Sequence, residues 1–181
     1  MRATGIVRRI DDLGRIVIPK EIRRTLRIRE SDPLEIYTDR EGEIILKKYS
    51  PIGEMATFAK QYAESLAQVS GRRALITDRD QIIAAAGGCK YLLGCNVTKD
   101  FEKRMENREN FTAMKKDKSF VEVSNDMKEE VEQMTVSTII CEGDVIGTVV
   151  LLEVDGDNPM SEVEQKLSLA AAGFLGRQME Q

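Results

Sequence analysis

No histidine occurs among the 181 residues, which removes Ser-His-Asp and Cys-His catalysis and the commonest transition-metal ligand together. Cysteine is scarce: Cys89, Cys95 and Cys141 form an odd set without a CxxC pair. Neither a disulfide framework nor a zinc knuckle is indicated, and the three read as buried or idle thiols. No apolar run approaches the roughly 20 residues that cross a bilayer. The opening MRATGIVRRIDD lacks the apolar core of a secretion signal, and the scattered carboxylates show no metal-ligand spacing. These absences argue against an enzyme, a metal, another cofactor or a membrane partner, and for a cytoplasmic protein.

What the chain does have is a lopsided distribution of charge. Its formal net charge is -4, yet the first 29 residues hold nine Lys/Arg against three Asp/Glu, a charge of +6 that leaves -10 on the other 152. Such asymmetry marks a basic contact surface joined to an acidic body. Two domains are expected, residues 1–50 and 51–181.

In the first, TGIVRRI (Thr4 to Ile10) and RIVI (Arg15 to Ile18) flank DDLG and predict paired strands around a turn. Pro19 then opens a short helix from Lys20 to about Leu26. On it Lys20, Arg23, Arg24 and Arg27 recur at i, i+3, i+4 and i+7, one exposed basic stripe. LEIYT (Leu34 to Thr38) and IILKKY (Ile44 to Tyr49), joined by DREGE, predict a second strand pair. A unit of about 50 residues buries little apolar surface, yet Ile6, Val7, Ile10, Ile16, Val17, Ile18, Ile36, Ile44, Ile45 and Leu46 all seek burial. A second copy sharing one core would bury them, and twin basic faces would suit duplex DNA.

TGIVRRIDDLGRIVIPKEIRRTLRI, with DPLEIYTD and IILKKY, closely resembles the AbrB-like DNA-binding domain of bacterial transition-state and sporulation regulators. The resemblance implies a dimeric swapped-hairpin β-barrel built from two chains. It also implies DNA contacts by Arg8, Arg15, Arg23 and Arg24, with Arg9 and Lys20 as auxiliary contacts and with recognition of shape and flexibility more than of a strict consensus. One departure is visible: where that family usually has glycine before the Asp, this chain has Ser31 ahead of Asp32. The alternative, a toxin-neutralising antidote built on the same barrel, fits less well, since such proteins end in a disordered tail.

The rest of the chain predicts a folded body. Ser50-Pro51 leads into a helix from Ile52 to Val69 stopped by Gly71, with Ile52, Met55, Ala59, Tyr62, Leu66 and Val69 along one seam. ALITDRDQIIAAAGG (Ala74 to Gly88) reads as strand, turn, strand. Val97 to Arg108 reads as a helix capped by Thr98, with Val97, Phe101 and Met105 on one side, and SFVEVS (Ser119 to Ser124) as a strand. MTVSTIICEGDVIGTVVLLE (Met134 to Glu153) is the clearest hairpin. Ser161 and Glu164 form a capping box for a last helix that would bury Val163, Leu167, Ala170, Ala171, Phe174 and Leu175. This order, an antiparallel sheet flanked by helices in an α+β chain, resembles a GAF domain.

The resemblance of both halves together implies a transcription regulator of endospore formation, associated with the nucleoid. It would be dimeric through its head and tetrameric through the helices of its second domain. The N-K-F-D-E signature of nucleotide-binding GAF domains is absent. For the second domain two readings stand side by side, a sensor for a small molecule and a purely oligomerising module.

Overall fold

A computed structural model describes residues 4–156 and 158–180, and the chain divides into two compact units, Met1–Tyr49 and Ser50–Gln181.

In the first unit the DDLG turn forms as its chemistry dictates. The Asp11 carboxylate accepts the amides of Leu13 at 3.0 Å and Arg15 at 2.7 Å, the Asp11 amide donates to the Arg15 carbonyl, and Gly14 supplies the positive φ of 76°. The arms on either side, however, form no ladder, so the paired strands expected over Thr4–Ile10 and Arg15–Ile18 are absent among the described residues. Helix α1 spans Lys20–Thr25, directly after Pro19. Strands β1 (Leu34–Thr38) and β2 (Ile44–Lys48) pair antiparallel, with Ile36 opposite Leu46.

The β1–β2 turn repeats the Asp11 turn group for group. The Asp39 carboxylate accepts the amides of Glu41 and Glu43, the Asp39 amide donates to the Glu43 carbonyl, and Gly42 has a φ of 83°. The Asp11 loop is therefore a formed hairpin turn whose arms lack the partners that β1 and β2 find in each other. Burial tells the same story. Pro19 is the only buried residue among those described in this unit, while Val7 is 88%, Val17 73% and Ile36 66% exposed. Burying such side chains contributes about 1.5–3 kcal/mol each, and a single copy forgoes nearly all of it.

The second unit begins with Ser50, whose hydroxyl accepts the Gly53 amide and caps helix α2 (Pro51–Glu54). Helix α3 (Ala56–Ser70) follows and ends at Gly71, which is left-handed at φ 68°. The single helix expected from Ile52 to Val69 is thus broken at Met55, and Val69 lies off the seam, exposed.

The strands are β3 (Arg73–Thr77), β4 (Ile82–Ala86), β5 (Phe111–Met114), β6 (Gln133–Cys141) and β7 (Asp144–Glu153). They form one antiparallel sheet in the order β4-β3-β7-β6-β5. Helices α3 and α5 (Glu162–Gln178) cover one face; α4 (Lys99–Glu106) and the irregular segment before β6 cover the other. Ala74, Ile76, Val149 and Leu151 enter the first core, and Leu75, Val150 and Leu152 the second. With both faces covered, these strands read as continuous apolar runs instead of alternating ones.

Thr98 caps α4 by accepting the Phe101 amide, and Phe101 and Met105 are buried as the spacing predicts. SFVEVS is not a strand: Val123 is buried and Phe120 and Val121 are half-buried in the α4-side core from irregular backbone. Helix α5 buries Ser168, Ala171, Ala172, Leu175 and Gly176. Val163, Ala170 and Phe174, expected inside, are exposed.

The capping box of α5 is tied to a buried arginine. Glu164 Oε2 accepts the Ser161 amide at 2.8 Å and hydroxyl at 2.7 Å, while Oε1 accepts from Arg72 Nε at 3.2 Å and Nη2 at 3.1 Å. Arg72 Nη1 pairs with Glu153. Burial opposes ionisation of Glu164, but the Ser161 and Arg72 donors outweigh it and hold the carboxyl at about 2, against an ordinary 4.5. Because the folded value lies below the unfolded one, this stabilisation is complete above about pH 4.5 and is lost as pH falls toward 2. The urea midpoint of the second unit is expected to fall between about pH 5 and pH 2, and Glu164→Gln to flatten that fall.

Candidate nucleic-acid interface

The six cations singled out in the sequence all lie at the surface. Lys20, Arg23 and Arg24 share one side of α1, and Arg8, Arg9 and Arg15 lie on the arms of the Asp11 turn; all six are exposed. Among the described residues none of the six enters an ion pair. Arg15 is the most tightly placed of the arm residues, because its amide is fixed by the Asp11 carboxylate.

Arg27 leaves the expected stripe. α1 ends at Thr25, and Arg27 turns left-handed at φ 53° while the Ile28 amide closes back on the Arg23 carbonyl at 2.8 Å. Its carbonyl accepts from Lys48 Nζ at 2.8 Å, which ties the end of α1 to β2.

A second tie was not legible in the sequence. The Asp32 side chain, 4% exposed, accepts the Arg29 amide at 2.8 Å and lies 3.3 Å from Lys48 Nζ. Burial alone would raise its pKa, but the Arg29 amide and the Lys48 ammonium outweigh that and hold it below its usual range. Asp32 and Lys48 thus position α1, and only contact across the fold reveals it.

Ser31 stands in this turn at φ 65°, so the chain keeps the left-handed geometry without glycine. An L-residue there costs about 1–2 kcal/mol, and glycine returns part of that as backbone entropy. Ser31→Gly is expected to raise the stability of this unit by about 0.5–1 kcal/mol in chemical denaturation, leaving DNA affinity unchanged.

Negative charge gathers at the opposite kind of place in the unit. Asp39, Glu41 and Glu43 gather on the β1–β2 turn with carboxylate oxygens within 4.8 Å of one another. Such a turn repels anions, whereas the cations of α1 and the arms attract them.

Comparison with known proteins matches both units. Residues 54–180 fit the family described as Stage V sporulation protein T C-terminal, transcription factor. Residues 7–54 fit the one described as Antidote-toxin recognition MazE, bacterial antitoxin. Stage V sporulation protein T of Bacillus subtilis (strain 168) is 52% identical over 182 residues, which span 100% of each chain. The transition state regulatory protein AbrB of the same organism is 67% identical over 51 residues, 28% of this chain and 52% of that one. The GAF domain of an Acinetobacter phosphoenolpyruvate-protein phosphotransferase overlays with a TM-score of 0.59 at 12% identity, over 69% of this chain and 81% of its own. That likeness is one of fold, and it makes the sheet-bearing unit GAF-like.

Proposed function

The chain belongs to the stage V sporulation protein T family, and from that premise we propose that it is a DNA-binding transcription regulator of sporulation genes. It binds duplex DNA through Arg8, Arg9, Arg15, Lys20, Arg23 and Arg24, and it acts in the cytoplasm at the nucleoid. The observation that carries this reading is the set of six exposed cations, none in an ion pair among the described residues, on the +6 segment of an acidic chain. Among the described residues, no helix is long and apolar enough to cross a membrane.

The head works as a pair. Its preformed Asp11 turn, its unpaired arms and its exposed Val7, Ile16, Val17 and Ile36 suit a second copy whose arms complete the ladder and the core. Two copies double every cation, so one head meets the duplex with twice six positive charges.

A further contact between copies fits the second unit. Val163, Ala170 and Phe174 recur on one side of α5, opposite in sense to its buried stripe, and are exposed. Phe174 stacks on Tyr62 of α3 at 5.6 Å between ring centroids, with Phe58 at 6.0 Å from Phe174. This apolar ridge suits a helical interface and, with the head, a tetramer. For the same unit a sensor for a small molecule and a purely oligomerising module stand side by side.

A toxin-neutralising role is the rival reading, favoured by the match of residues 7–54 to an antitoxin family. The folded second unit and the full-length relative weigh against it. Titrating a fluorescently labelled promoter duplex with the full chain at rising salt tests the regulator. Saturable binding that weakens steeply with salt supports the regulator; absent or salt-indifferent binding rejects it.

A further inference from the structure

Leu13 sits where neither the fold of the head nor its charge calls for leucine. It is 66% exposed at the tip of the Asp11 turn, a place that chains ordinarily give to polar residues. The arms of that turn also expose apolar side chains, but Val7, Ile16 and Val17 lie on stretches whose backbone a second copy can pair. Leu13 does not share that explanation. Its amide and that of Arg15 go to the Asp11 carboxylate, the Gly14 amide to the Asp11 carbonyl and the Asp11 amide to the Arg15 carbonyl. The turn is closed on itself, and a ladder between copies does not run through it.

The β1–β2 turn supplies the comparison. Its hydrogen bonds match those of the Asp11 turn, so the residues correspond one to one: Asp12 to Arg40, Leu13 to Glu41, Gly14 to Gly42 and Arg15 to Glu43. The geometry of the turn does not require leucine, because Glu41 fills the same place with its amide 3.0 Å from the Asp39 carboxylate. What differs is the surroundings. Glu41 stands among carboxylates, whereas Leu13 lies between arms that carry Arg8 and Arg9 on one side and Arg15 on the other. The stretch from Asp11 to Gly14 has no cation, so it offers phosphate nothing. An apolar tip carried to a duplex by flanking guanidiniums meets base edges instead. In the major groove the apolar group on those edges is the C5 methyl of thymine.

We propose that Leu13 reads thymine methyl groups in the major groove and is a specificity-determining residue of the head, while the arginines around it supply affinity. The inference rests on the DNA-binding reading of this unit. The Asp11 turn suits the task, because a side chain on a backbone already fixed by hydrogen bonds gives up little freedom on contact. Burying one methyl is worth about fourfold in affinity, so the two tips of a paired head give about fifteenfold. Leu13 carries no charge, and its contribution leaves the salt dependence alone.

Competition titration of the full chain against one promoter duplex, synthesised with thymine or with uracil throughout, tests the assignment. Uracil lacks the methyl and keeps every hydrogen-bonding group of thymine. Wild type is expected to prefer the thymine duplex by about fifteenfold. Leu13→Ser is expected to bind both duplexes alike, at the affinity wild type shows for the uracil one, with the slope of log affinity against log salt unchanged. Equal affinity of wild type for both duplexes, or a preference that Leu13→Ser retains, overturns the methyl readout and leaves the DNA-binding reading standing. A Leu13→Ser chain that no longer pairs in sedimentation does the same, since Leu13 is then a packing residue between copies. If wild type binds neither duplex, both readings fall together.

Discussion

Replacing Arg15, Arg23 and Arg24 together by alanine is expected to weaken duplex binding by the full chain at least a hundredfold near 0.1 M salt, with secondary structure and assembly unchanged. The three side chains are exposed and enter no ion pair among the described residues, so truncation strands no buried partner. In a paired head the variant deletes six guanidiniums. Proteins making about 6–10 phosphate contacts lose roughly 10³–10⁵ in affinity between 50 and 200 mM salt, and a hundredfold is only about 2.7 kcal/mol spread over six groups. Equilibrium titration of a labelled promoter duplex, with circular dichroism and sedimentation as fold controls, reads the effect. Affinity within threefold of wild type would remove the assigned surface.

A comparable effect on stability is expected from one methyl group in α5. Gly176→Ala would ordinarily stabilise a helix by about 1 kcal/mol. Here a Cβ would lie 2.1 Å from the Ile140 carbonyl oxygen of β6, a backbone atom that cannot rotate away. Helix and sheet must separate, and a loss of about 3 kcal/mol is expected. Gly173→Ala is the control: a Cβ there meets nothing within 4 Å, so it should show the ordinary helix gain. Opposite signs for the two substitutions in the urea midpoint of the second unit identify close approach, and not propensity, as the cause. Equal signs would contradict it.

What could be read from the sequence follows from how local the governing chemistry is. The capping box of Ser161 and Glu164, the Thr98 cap, the Gly71 stop and the β6–β7 hairpin depend on neighbours within a few residues, and the structure keeps all of them. Of the stripe expected on α5, Ala171 and Leu175 are buried and Leu167 is half-buried, but Val163, Ala170 and Phe174 are exposed, because that helix is apolar on two sides and periodicity alone does not say which meets the sheet. SFVEVS failed for a related reason: Phe120, Val121 and Val123 fill the α4-side core without strand pairing. The four-residue β5 was too short to signal itself.

For the candidate interface, the gathering of arginines was legible because charge needs no geometry to be counted. The Asp32 and Lys48 tie that seats α1 joins residues far apart in the chain. It appears only once the chain is folded. The paired strands expected over Thr4–Ile10 and Arg15–Ile18 do not form among the described residues, and only the Asp11 turn between them does.

The twinned basic head is tested most directly by the slope of log affinity against log salt concentration for duplex binding, compared between wild type and Arg23→Ala. Each phosphate contact contributes about 0.9 to that slope. A paired head loses two contacts for one substitution, so the slope should become shallower by about 1.8. An unchanged slope would mean that Arg23 meets no phosphate, and a change of about 0.9 that only one copy engages the duplex; either result contradicts a twinned basic head.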